Sequence, residues 1–236
     1  MKQLNENIFH QYSKWKTGYV RKENSLQMRL NDFVSHYSEY ESRLEISNDG
    51  KINILGDFKL SKEMLIDGKF PFKFGNCIGR FDCSFLSDLV SLEGAPEEVG
   101  KTFTCRNCRS LTSLEGAPKK VGGRFNCSYC KNLTSLKGAA EEVDGDFLCM
   151  GCVELISLEG APEEVGTWFD CSYCEKLTSL KGVPKKIGNF FNCSKCTNLL
   201  TFDDFPNEIG STVTIDKKNY GQIPKDCKIE GKIIYE

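Results

Sequence analysis

The chain has 236 residues, 27% of them charged, a formal net charge of −2, 13 cysteines and 2 histidines. That balance argues against the one-signed basic face of a polyanion binder, and no run approaches the ~18 apolar residues of a membrane span. The opening Met1-Lys2-Gln3-Leu4-Asn5-Glu6 lacks the basic-then-apolar plan of a signal peptide, so the expected compartment is the cytoplasm, with the cysteines as free thiols.

Residues 1–42 read as a helical N-terminal cap. Phe9, Tyr12, Trp15 and Tyr19 share one helical face, and Leu26, Leu30, Phe33 and Tyr37 share another. Gly18 and Lys22-Glu23-Asn24-Ser25 divide them, with Asn24 or Ser25 as the second N-cap. Such helices would cover the open end of a core.

Residues 43–77 change period. Leu44 and Ile46, then Ile52 and Ile54, alternate around Asn48-Asp49-Gly50, a hairpin signal. Phe58 and Leu60 read as a degenerate first coil.

Residues 78–210 carry six copies of a 22-residue phrase. Phenylalanine recurs at Phe81, Phe103, Phe125, Phe147, Phe169 and Phe191, and a cysteine follows two residues later each time. A fixed period in the twenties is the mark of a solenoid, whose coils bury their apolar side only by stacking. Within one copy, Phe125, Cys127, Cys130, Leu133, Leu136 and Val143 form the expected inward set. Residues 211–236 keep the pattern with Val213 and Ile215, and Ile229, Ile233 and Ile234 supply capping strands.

The strand-and-turn phrase through Phe125, Cys127, Cys130 and Leu133 resembles the leucine-rich repeat family, in its cysteine-bearing form. The likeness spans over half of the chain. The short second half resembles the bacterial type, and the wording Leu111 to Pro118 is similar to repeat proteins of tailed phages and their hosts. The fold so implied is a β-rich α/β solenoid: a parallel leucine-rich-repeat sheet on the concave face behind a helical cap. The resemblance implies protein binding and names no partner, because fold does not fix function.

Five Cys-x-x-Cys pairs, at 105/108, 127/130, 149/152, 171/174 and 193/196, have zinc-site spacing. They stand in register with the repeat, however, and Leu86 and Ile215 replace a cysteine in the outermost coils. An aliphatic residue replaces a packing residue but not a thiolate, so the reading is a core ladder with no metal and no cofactor.

A charged column reads Glu97-Glu98, Lys119-Lys120, Glu141-Glu142, Glu163-Glu164, Lys185-Lys186 and Asn207-Glu208, placed on a turn after the proline. Its largely alternating sign suits pairing between neighbouring coils and makes a poor track for nucleic acid.

Residues flanking Phe and Cys point outward and are mostly small and polar. Leu148, Met150, Trp168 and Phe190 are the exceptions, on three successive coils, with Tyr129 and Tyr173 flanking them and Asp146 and Asp170 beside them. Arg106 and Arg124 are expected to form a charged edge. Gathered apolar surface of this composition marks an interaction site. With both histidines in the helical region and no phosphate loop or serine elbow, an enzyme is not expected. The expectation is a non-enzymatic module that binds another protein through its concave face, concretely an inhibitor of a host defence protein of the anti-CRISPR kind, acting in the host cytoplasm. A structural or self-assembling repeat protein and a zinc-stabilised RNA-binding module are the alternatives.

Overall fold

The computed structural model describes residues 26–202 and 204–236. The expected first helix, with Phe9, Tyr12, Trp15, Tyr19 and His10, lies outside the described residues.

Helix α1 (Leu26–His36) buries Leu30 and Phe33. The Phe33 ring meets Phe72 edge-on at 5.3 Å, and Arg29 Nη2 donates to the Pro71 carbonyl at 3.0 Å. A 3-10 turn, Ser38–Arg43, brings the chain into the antiparallel hairpin of β1 (Leu44–Ile46) and β2 (Ile52–Ile54).

From there the chain winds as a β-solenoid. Each coil contributes two strands of about two residues, and these build two stacked parallel sheets, one of nine strands and one of ten with β1 antiparallel at its edge. The first, here the Phe sheet, pairs Phe58 with Phe81, Phe81 with Phe103 and so on to Phe191 with Val213. The second, the Val sheet, pairs Val99 with Val121 and Val165 with Ile187. This second sheet corrects the sequence reading. The charged column was placed on a turn, yet Glu98–Val99 and Lys120–Val121 are strands. Their short length explains the miss: one inward valine per strand shows no alternation. Among the described residues α1 is the only α-helix, so helices form no outer layer, and no helix is long and apolar enough to cross a membrane.

The core lies between the sheets. The six repeat phenylalanines are almost fully buried and form a ladder, with Phe125 and Phe147 parallel at 5.0 Å. That spacing follows from the ~4.8 Å separation of paired strands. At the corner joining the sheets the coils touch backbone to backbone: a Cβ on Gly122 would lie 2.5 Å from the Gly100 carbonyl oxygen.

Twelve of the cysteines are buried and Cys227 is partly so. The second cysteine of each pair donates its thiol to the carbonyl of the first cysteine one coil earlier, as Cys108 does to Cys83 at 3.0 Å and Cys130 to Cys105 at 3.1 Å. Cysteine therefore does two jobs there: it fills a small apolar site and satisfies a carbonyl that the turn leaves short of donors.

Candidate interaction surface

Four positions recur on each coil of the Phe sheet: before the Phe, between Phe and Cys, and one and two residues after the Cys. At the second, the side-chain oxygen caps the following turn: Asp82, Asn126, Asp170 and Asn192 accept from the backbone N–H two residues on, at 2.9–3.0 Å. Asp170 is thus a turn-forming residue. Leu148 breaks the column, since it has no oxygen to offer.

The third position departs from the expected solvated face. Ser128, Ser172 and Ser194 are buried. The fourth position is set by its backbone. Phe85, Asn107, Tyr129, Tyr173 and Lys195 all have left-handed backbone with φ between 58° and 63°, and Gly151 takes the sixth place at 69°. Left-handed backbone costs a residue with a Cβ roughly 1–2 kcal/mol. Stacking repeats this turn in six successive coils.

The apolar exceptions do meet. Trp168 is 47% exposed and packs edge-on against Phe190 at 5.0 Å between ring centroids. Leu148 pairs in register with Asp170 on the next coil, next to Phe147 and Phe169. Leu148, Met150 and Phe190 are half-buried, and Tyr173 is 51% exposed. Tyr129 Oη points to Met150 Sδ at 3.7 Å.

The two arginines do not form one charged edge. Arg124 is held by Asp146, with Nη2 at 2.7 Å and Nε at 2.8 Å from Oδ2, and Thr167 Oγ1 donates to Asp146 Oδ1. Arg106 stands apart, its guanidinium over the rings of Phe85 and Tyr129. Phe85 was not among the expected site residues, although it is 61% exposed. Its place one residue after Ser84, matching Tyr129 and Tyr173, was the available signal.

The Val sheet carries the charges. Lys120 reaches Glu142 at 2.6 Å, and on the turns that precede the sheet Lys181 reaches Glu159 at 2.9 Å and Lys137 reaches Glu115 at 3.6 Å. All are exposed pairs of little energetic weight. The alternation slips once, where Glu142 and Glu164 are neighbours. There the strands pair only at Val143 and Val165. Glu141 and Lys185 donate their N–H groups to the preceding coil, but Glu163 makes no such bond to Glu141. A cleft of about 520 Å³ opens at this seam, lined by Glu141, Glu142, Asp144, Glu163, Glu164 and Lys186 among others.

Among the described residues no group of three or more His, Cys, Asp or Glu side chains is placed to hold a metal ion. Burial pushes the Cys193 thiol well above its ordinary range, the reverse of what a reactive thiolate needs. His36 sits at the end of α1 with Nδ1 2.8 Å from the Asp32 carbonyl. No protein-family model, no curated protein and no solved structure matches the chain.

Proposed function

We infer that the chain is a non-enzymatic protein-binding module of the leucine-rich-repeat kind, and that its working surface is the outward face of the Phe sheet around Trp168. The supporting observation is local. Where four coils bear Asn or Asp, then Ser, the coil of Phe147 carries Leu148 and Met150, beside the exposed Trp168 and its partner Phe190. A face that only met water would gain nothing from a half-exposed tryptophan, whereas interface centres are enriched in Trp, Tyr, Met and Arg.

The finer role follows the likeness of Leu111 to Pro118 to phage repeat proteins. On that likeness the partner is a host defence protein in the cytoplasm and the module is its inhibitor, anti-CRISPR-like in action. A tagged pull-down from source-cell lysate, run beside a Trp168→Ala, Met150→Ala double variant, tests the surface. The expected result is a partner captured by the parent and lost by the folded double variant. Equal capture by both would place the site elsewhere. Self-association that the double variant abolishes would favour the structural alternative, and zinc retained by purified protein would favour the RNA-binding one.

A further inference from the structure

Two columns of the Phe sheet follow a rule of size. The third position and the left-handed position after it read Ser84-Phe85, Arg106-Asn107, Ser128-Tyr129, Met150-Gly151 and Ser172-Tyr173. A small residue at one place always accompanies a large one at the other, until Ser194-Lys195 ends the run with a flexible side chain. Long side chains from the third column can therefore slot between rings projected from the coils on either side.

Arg106 does so. Its guanidinium carbon is 5.7 Å from the centroid of the Phe85 ring and 5.1 Å from that of Tyr129. Tyr129 is held in turn from beyond: a Cβ on Gly151 would lie 2.7 Å from its Cδ1 and 2.9 Å from its Cε1, so the ring rests where only glycine leaves room. Four coils thus build one clamp. A guanidinium between two rings keeps its edge free, and the edge is where its N–H donors lie.

That edge is unfilled. Arg124, one coil on, has Asp146; among the described residues Arg106 has no ion pair and its side chain makes no hydrogen bond. A charged, planar donor set whose orientation is fixed before binding loses little freedom when a carboxylate arrives, and the two-oxygen edge of a carboxylate matches it.

We propose that Arg106 is the anchor for a carboxylate in an acidic segment of the protein partner. This rests on the protein-binding reading and names the chemistry of what is bound. A polypeptide fits better than a nucleic acid for two reasons. The Tyr129 ring, on which a base would stack, is occupied by the guanidinium and by the Gly151 backbone. The same sheet face mixes Asp82, Asp146 and Asp170 with Arg80, Arg124 and Lys195, so it offers no one-signed track for a run of phosphates, whereas one carboxylate needs only Arg106.

The test follows the Arg106 Nε–Hε resonance while poly-L-glutamate or poly-uridylate is added in low-salt buffer. Poly-glutamate should shift it saturably, with affinity, read in every protein from the backbone amide shifts of residues 104–108, about tenfold weaker in Arg106→Lys and in Tyr129→Leu. Arg109→Lys should bind like the parent, and circular dichroism and melting should match for all variants. An unmoved resonance, undiminished binding by Arg106→Lys, or a stronger response to poly-uridylate would overturn the anchor. The natural partner separates this from the broader reading. Capture that needs Trp168 and Met150 yet survives Arg106→Lys removes the anchor and leaves protein binding standing; capture indifferent to all three residues removes both.

Discussion

The ring of Tyr129 lies against the backbone of Gly151 one coil later, so closely that a methyl group at 151 would stand 2.7 Å from Cδ1. Gly151→Ala therefore meets two costs, the left-handed backbone at φ 69° and the displaced ring. The variant should be about 1–3 kcal/mol less stable in urea unfolding. In a Tyr129→Ala background the same substitution should cost only the backbone part, about 1 kcal/mol. Equal losses in both backgrounds would mean that ring and glycine are not coupled.

Ser172 and Ser194 occupy the same place two coils of sequence pattern would call equivalent, yet differ in satisfaction. The Ser194 hydroxyl donates to Asn192 Oδ1 at 2.9 Å, whereas the buried Ser172 hydroxyl has no hydrogen-bond partner among the described residues. Ser172→Ala should leave stability unchanged or raise it by up to ~1 kcal/mol, and Ser194→Ala should lower it by about 1 kcal/mol. Urea midpoints measured side by side decide this; a larger loss at 172 than at 194 would refute it.

The thiols predict both a labelling pattern and a pH profile. In native protein Cys227 should react first with a disulfide reagent, though slowly because burial pushes its thiol up to about 11, the other twelve waiting for denaturant. An unfolded thiol ionises near 9.0, while burial pushes Cys77 up to about 11. Between these values the unfolded chain has released a proton that the native chain keeps, so the unfolded state binds fewer protons and stability falls as pH rises. Stability from this source is complete below pH 9 and is lost through about pH 11 and beyond. A flat urea midpoint across that window would contradict the burial.

Hydrogen exchange should find the seam between Glu142 and Glu164. The Glu163 amide makes no bond to the coil before it, whereas those of Glu141 and Lys185 do, each at 2.8 Å. Glu163 should exchange well ahead of those two, and added salt should narrow the gap by screening the like charges. Equal protection at all three positions would show that the slip in alternation leaves the ladder intact.

The phenylalanine and cysteine period makes the coil legible because each of those residues meets its own copy 22 residues away. The inward set of Phe125, Cys127, Cys130, Leu133, Leu136 and Val143 is wholly or almost wholly buried. The Val sheet was hidden because two-residue strands carry no pattern of their own. The left-handed column was hidden because Tyr129 and Tyr173 are poor advertisements for that backbone; Asn107 and Gly151, in the same column, were the better ones. Of the expected site, Trp168 and Phe190 meet, while Arg124, Asp146 and Asp170 are spent on local bonds. Arg106 was legible as a surface charge only. Its clamp depends on rings from coils on either side, which no reading of one copy reveals.

The coil that begins at Glu142 contains Leu148, Met150 and Gly151, and it is the one that breaks the sheet's charge alternation. Excising residues 142–163 would bring Glu164 beside Lys120, opposite charge to opposite charge, with Phe169 on Phe125 and Cys171 on Cys127. The scaffold would close over the gap, and Leu148, Met150 and Gly151 would be gone while Trp168 and Phe190 stayed. Outward chemistry in this chain is thus carried as a cassette of fixed length, and a lineage that gains or loses one cassette can rewrite what it recognises while inheriting its interior unchanged.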